Sequence, residues 1–531
     1  MMPDKPLPGD ADSAAPPQTR PKRPPRVPKA LLGGLLLLNT LLLFVYLCVW
    51  ITIRLDLTYP EGAVVTGAWR VASGRPLYTD WREWPHQFTP YGPVLYWTVG
   101  GIARLAGQGR PDFSFYLLGR LQSVLALLGI CALTCMLAIR VGCGRSGAIV
   151  CGAGLFGLWT GLMEYTVTYR PDAPMVFWNM LAVWVALGGL GPTWRRWAVL
   201  GCLWLAAGYK PQGWAASMVV GYLAWRSLSP RDAIVWSLVY VAGGACSVFA
   251  LNWATAGIFL LNTYTAMFVG LQVPQLFGQT ISEVLVGLWD MLVRIALLIG
   301  LGGWLWKSTG ESTESKALGA YFCVSTALSA LQLFKVGSDV NYLLEPFALS
   351  GTAAAIFYQR WLRPGSPLPP STKRLAWFTG LLCVGWWLLT SLHRHTGSLT
   401  QFNQREVSRM ARIELALHST RKTFSQERLA RTLPPVLLMD SSFIHPDPLA
   451  HAIDDPVYYC VMLDRGKLSP QSFLLELERK RFQLIALSPV AEEWFFTNVK
   501  DKRIREMLTR HYISKPGKGY PKLWTPKPAD H

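Results

Sequence analysis

Apolar residues in this chain fall into long unbroken runs separated by short polar breaks. The first run, residues 31–53, is long enough to cross a bilayer, which takes about 20 apolar residues in a helix. Ten more follow at about 115–139, 147–164, 173–191, 197–209, 212–226, 232–254, 282–306, 317–335, 342–361 and 375–392, so the pattern predicts about eleven transmembrane helices. The two runs flanking Tyr209-Lys210-Pro211 are short for ~30 Å of hydrocarbon and read either as two spans or as one broken helical hairpin.

The polar parts differ from one another. Residues 1–29 are Pro-rich and end in a basic cluster, the pattern of a disordered tail. With no small-residue cleavage site behind it, the first run is expected to be a retained anchor. A long loop, 54–114, separates the first two runs. Apolar residues recur in it at helical spacing over 63–72 and 93–106, with Trp69, Tyr96 and Trp97, which predicts helices lying in the membrane interface.

After residue 393 the chain changes character. A helix-prone connector (401–432) leads to a strand at 435–440, a helix over Ser469 to Phe482 and a buried strand at 483–487. A basic helix at 501–512 and a terminal strand near Leu523 complete the pattern of a small α/β domain. No Gly-rich loop follows either strand, so no nucleotide site is expected there. The predicted division is a tail (1–29), a transmembrane region (30–392) and a C-terminal α/β domain (393–531).

Composition sharpens this picture. Of 531 residues 51% are hydrophobic and only 16% charged, with mean hydropathy +0.25, whereas soluble chains are about a quarter charged. Yet Lys+Arg number 51 against 32 Asp+Glu, a net +19. Basic residues collect in alternate connections: Arg140/Arg145, Arg195/Arg196, Arg226/Arg231, Lys307/Lys316 and Arg360/Arg363/Lys373/Arg374. That asymmetry makes those loops cytoplasmic and assigns the charge to membrane topology, not to nucleic acid. The N-terminus is then cytoplasmic, in a bacterial inner (plasma) membrane. An odd number of spans places the C-terminal domain outside, on the same face as loop 54–114. The ten cysteines form no metal or redox motif; nine of them, Cys48 to Cys383, lie in or beside apolar runs as small hydrophobes.

Candidate chemistry gathers on the outer face. Asp56 and Glu61 emerge directly after the first run, where partial desolvation makes a carboxylate a better base; equally, such residues end helices. Asp172, before the fourth run, is a candidate acid or simply a helix cap and dipole partner. Arg170 beside it needs an anion at membrane depth. Arg120, Lys210 and Lys335 lie near outer helix ends, where they either snorkel or pair with a phosphate. Asp339, Asn341, Tyr342 and Glu345 are placed to hydrogen-bond a sugar, the plainer role for Glu345 being a salt bridge to Lys335 or Arg120.

In order and sidedness these motifs resemble the GT-C superfamily of polytopic glycosyltransferases, which includes the aminoarabinose transferases and protein O-mannosyltransferases. The resemblance is carried by Asp56, by Tyr59-Pro60-Glu61-Gly62, Gly74-Arg75-Pro76-Leu77-Tyr78, Tyr91-Gly92-Pro93 and Gly119-Arg120-Leu121-Gln122-Ser123, and by Arg170-Pro171-Asp172, Lys210-Pro211-Gln212 and the 337–346 segment. It extends to the C-terminal outer domain, with Phe482-Gln483-Leu484-Ile485-Ala486-Leu487 and the basic helix after it, and covers roughly residues 30–525. It implies a polyprenyl-phosphate-linked sugar donor, an acceptor that is a lipid, glycan or protein, and a first-loop acid, Asp56 or Glu61, as base with Asp172 in support. Arg120, Arg170, Lys210 and Lys335 would then bind phosphate. The two first-loop acids stand five residues apart instead of adjacent. No metal ligand set is evident and His86 reads as interfacial or structural; superfamily members differ in their use of a divalent cation. The competing reading is a transporter or flippase of a lipid-linked saccharide.

Overall fold

The structure is a computed structural model that describes residues 34–53 in part, 61–108 except 85, 113–149 except 146, 163–265 except 212, 312–333, 340–357, 369 and 371. In the C-terminal region it describes 436–439, 453, 456–482, 484–487, 492, 495–496, 501–514 and 522–527. The expected runs at 147–164, 282–306 and 375–392 lie wholly or largely outside these residues. The loop after the first apolar run forms α1 (Glu61–Ala72) and α2 (Pro93–Leu105). The apolar helices are α3 (Phe113–Arg140), α4 (Asp172–Leu187), α5 (Thr193–Tyr209), α6 (Ala215–Ser227), α7 (Pro230–Ala254), α8 (Thr313–Leu333) and α9 (Leu344–Phe357). A 3₁₀ turn, Val340–Leu343, leads into α9.

Among the described residues α3 and α7 are each long and apolar enough to cross a bilayer. The 28 residues of α3 rise about 42 Å. Its Tyr116, Arg120, Ser123, Leu127, Ile130, Thr134 and Leu137 form a buried stripe, while Leu121, Leu125, Leu128, Met136 and Ile139 face outward. The stripe packs on α4 and α9. Thr134 donates to Ala348 O (3.4 Å) and Thr352 donates to Thr134 O (3.3 Å), tying α3 to α9. In α7 only Ala233 and Trp236 of 25 residues are buried, and Ile234, Val235, Leu238, Val241, Phe249 and Trp253 are exposed. A helix so apolar and so exposed needs lipid around it. Its start is set locally: Pro230 occupies the first turn and Ser229 Oγ accepts from Asp232 N–H (3.1 Å).

The short helices α5 and α6 are separated by an extended Lys210 and by Pro211. Both pack chiefly on α4, two legs braced on a common helix. The sixteen residues of α4 also separate two chemistries. Asp172 starts the helix, whereas Arg140, Arg195 and Arg196 gather at its other end, donating to the carbonyls of Leu187, Gly188 and Leu190. Free carbonyls at a helix C-terminus attract cations for this reason.

The first outer loop departs from expectation. The helix α1 is buried at every position except Val71, packed on α2 and α3, and so is enclosed by protein instead of lying on the membrane interface. Only α2 presents an apolar outer face, through Trp97, Ile102 and Leu105.

The C-terminal region forms a mixed four-stranded sheet in the order β1 (Val436–Met439), β2 (Leu484–Leu487), β4 (Lys522–Pro526), β3 (Tyr512–Ser514). β1 runs parallel to β2, and β4 pairs antiparallel with both β2 and β3. Three helices accompany it: α10 (Pro456–Asp464), α11 (Gln471–Glu478) and α12 (Arg503–His511). Its core includes Tyr459, Phe473, Ile485, Leu508 and Tyr512, and also Trp81 and Phe88 from the first outer loop.

Candidate active site

Glu61 is the first residue of α1 and its side chain has no solvent exposure. Arg120 of α3 meets it in a two-pronged pair, Nε to Oε1 at 2.8 Å and Nη2 to Oε2 at 2.7 Å. Oε1 also accepts from the Tyr169 backbone N–H (2.9 Å). The other arm of Arg120 donates to Ile53 O and Trp50 O at the end of the first apolar run. This closed pair therefore ties four segments together: the first run, α1, α3 and the turn before α4.

Asp172 is the hub of a second buried cluster. Its Oδ1 accepts from Lys210 Nζ (2.7 Å) and Asn341 Nδ2 (2.9 Å), and its Oδ2 from Arg170 Nε (3.2 Å). Lys210 sits in the break between α5 and α6, and Asn341 in the 3₁₀ turn before α9, so three chain breaks converge on one carboxylate. The Lys210 ammonium lies over the Tyr342 ring (4.1 Å) and the Arg170 guanidinium over Tyr165 (4.8 Å), cation–π contacts that hold both in a site of low dielectric. Two cations against one carboxylate leave a net positive charge, and the Arg170 side chain keeps 11% of its surface accessible.

Next to this cluster, Glu345 Oε1 accepts from Asn179 Nδ2 (3.0 Å) and from Tyr321 OH. The salt bridge of Glu345 to Arg120 is not formed, since Arg120 is paired with Glu61; Lys335, Asp56 and Asp339 lie outside the described residues. Asn179 and Tyr321 carried only weak signals in the sequence, a lone amide in Pro174–Leu187 and a tyrosine within an apolar run. Among the described residues no three His, Cys, Asp or Glu side chains come together as metal ligands.

His86 lies apart from both clusters and is fully buried. It contacts Trp81 O through Nδ1 (2.9 Å) and Ser472 Oγ of α11 through Nε2 (3.0 Å). Burial holds its pKa below the usual histidine value, a shift only partly offset by the bond to Trp81.

No family model and no curated protein matches the sequence. The architecture does have a counterpart in the crystal structure of ArnT from Cupriavidus metallidurans in the apo state, with a TM-score of 0.52 over 93% of this chain and 98% of that one. The chain shares the fold of that structure. At 13% identity the likeness to ArnT is one of fold. The oligosaccharyltransferase of Archaeoglobus fulgidus, in a structure tethered with an acceptor peptide, aligns with 92% of this chain and 72% of that one (TM-score 0.46, 11% identity).

Proposed function

We propose that this GT-C chain is a membrane glycosyltransferase that moves a sugar from a polyprenyl-phosphate donor to an acceptor on the outer face of a bacterial inner membrane. The observation that carries the reading is the buried Arg170–Asp172–Lys210 cluster with its surplus positive charge. Burying charge at membrane depth is costly, and an incoming phosphate would balance the excess. Arg170 and Lys210 take the leaving phosphate; Asp172 is the positioning residue that aims them.

Glu61 has both oxygens committed to donors and no exposed surface, so in this proposal it is a structural tie rather than the base. The base is then Asp56. It removes the acceptor hydroxyl proton, the acceptor oxygen bonds to the anomeric carbon, and the bond from that carbon to the phosphate oxygen breaks with its electron pair. The negative charge gathering on the phosphate meets Arg170 and Lys210.

Membranes containing the protein, given a polyprenyl-phosphate sugar and acceptor, are expected to release polyprenyl phosphate. Asp56→Asn is expected to abolish release while leaving the folded protein in the membrane; full activity in that variant would overturn the base assignment. Wild-type vesicles that translocate the lipid without glycosyl transfer would instead establish the transporter reading.

A further inference from the structure

A small cavity of about 20 Å³ opens beside the ionic cluster, with Lys210, Gln332, Asn341, Tyr342 and Glu345 in its wall. Lys210 belongs to both, so whatever is joined to a phosphate held at the cluster reaches this cavity next.

Several of the wall's donors are already spent. Ser329 spends its hydroxyl proton on Tyr342 O (2.6 Å) and Ser325 on Phe322 O (3.1 Å). Asn341 spends its amide on Asp172, and Asn179 spends its own on Glu345 and Gly213 O. Acceptors are left over. In the wall itself, Asn341 Oδ1 is buried with no partner. Both hydrogen bonds to Glu345 go to Oε1, which leaves Oε2 free. Buried acceptors without donors cost free energy until a ligand or water supplies them. A hydroxyl, which both donates and accepts, suits these acceptors beside the Lys210 ammonium. The space, about 20 Å³, is enough for a water-sized group such as one hydroxyl.

We propose that this cavity receives one hydroxyl of the transferred sugar, and that Glu345 and Asn341 are its specificity-determining residues. The proposal rests on the donor-lipid reading above and adds to it which residues read the sugar.

The test measures binding of the full-length protein in detergent to polyprenyl phosphate alone and to a panel of its neutral hexosyl and pentosyl esters. At least one ester is expected to bind wild type more tightly than the bare lipid phosphate. Glu345→Ala is expected to lose roughly tenfold to a hundredfold of that gain, the worth of one hydrogen bond to a charged acceptor, with affinity for bare polyprenyl phosphate unchanged. Should Glu345→Ala fail to fold, Glu345→Gln keeps the partners of Oε1 and is expected to lose about tenfold of the same gain. The proposal is overturned if no ester outbinds polyprenyl phosphate, if the gain survives both substitutions, or if they weaken bare lipid phosphate equally. Failure of wild type to bind polyprenyl phosphate at all would instead sink the donor-lipid reading itself.

Discussion

Glu61 and Arg120 show how little a carboxylate's position in the sequence says about its job. The pair is fully buried and closed on itself, with every Glu61 oxygen taken. Removing one partner leaves the other charged, buried and unbalanced, a loss of about 3–5 kcal/mol, whereas removing both relieves much of that penalty. Glu61→Gln is therefore expected to lower thermal stability in detergent markedly, and Glu61→Gln combined with Arg120→Met to recover part of it. A double-mutant cycle in thermal unfolding measures the coupling, and additive losses would contradict the pairing. Asp172 shares the burial but not the closure. It faces two cations, one of them partly accessible, and the proposed phosphate site rests on this difference.

At the scale of elements, close approach decides what the site residues meet. Gly119 of α3 lies against Tyr169, and a Cβ there would fall 2.1 Å from the tyrosine ring. The same tyrosine donates its backbone N–H to Glu61 and its hydroxyl to Leu95 O (2.7 Å), so pushing it away disturbs both. Gly119→Ala is expected to cost about 1–3 kcal/mol of stability, read as a lower unfolding midpoint in the same assay. The helices themselves were legible, because a run of apolar residues long enough for hydrocarbon has few alternatives. The strands at 436–439 and 484–487 and the helix α12 fell close to expectation for a similar reason, each being a hydrophobic or basic block bounded by breakers. The helix α10 and the strand β3 were not anticipated. Pro456–Asp464 is short and almost wholly apolar, so its period is silent, and Tyr512–Ser514 exists only as a partner for β4.

On the scale of the whole molecule, the loop before α3 joins the apolar helices to the C-terminal domain. Asn262, in the turn after α7, donates to Thr79 O (2.8 Å) and accepts from Thr89 N–H (3.1 Å), pinning the loop from the membrane side. Trp81 and Phe88 enter the core of the C-terminal domain, Trp84 stacks on Phe473 (6.0 Å), and His86 bonds Ser472. His86 makes this junction sensitive to pH in a definite direction. Burial lowers its folded pKa beneath the ordinary value of about 6.5, so below that pH the unfolded state binds a proton that the folded state refuses. The stability contributed is complete above about pH 6.5 and declines as pH falls, by at most about 1.4 kcal/mol per unit. Limited proteolysis of the loop across pH 7 to 5 is expected to accelerate in wild type and to lose most of that dependence in His86→Gln.

The sequence by itself determined that this is a multi-pass membrane chain with a polar C-terminal α/β region, because both follow from local composition, run length and the sidedness of charge. It also singled out Glu61, Arg120, Arg170, Asp172, Lys210, Asn341, Tyr342 and Glu345, since charged and polar groups at membrane depth demand partners. Who those partners are was a question for tertiary structure. Pairing Glu61 with Arg120 spans 59 positions, and joining Asp172 to Asn341 spans 169. No local pattern encodes such a distance; it is set by which helices pack on α3 and α4. The same packing encloses α1, draws Trp81 and Phe88 into a distant domain, and leaves unpaired acceptors beside Lys210.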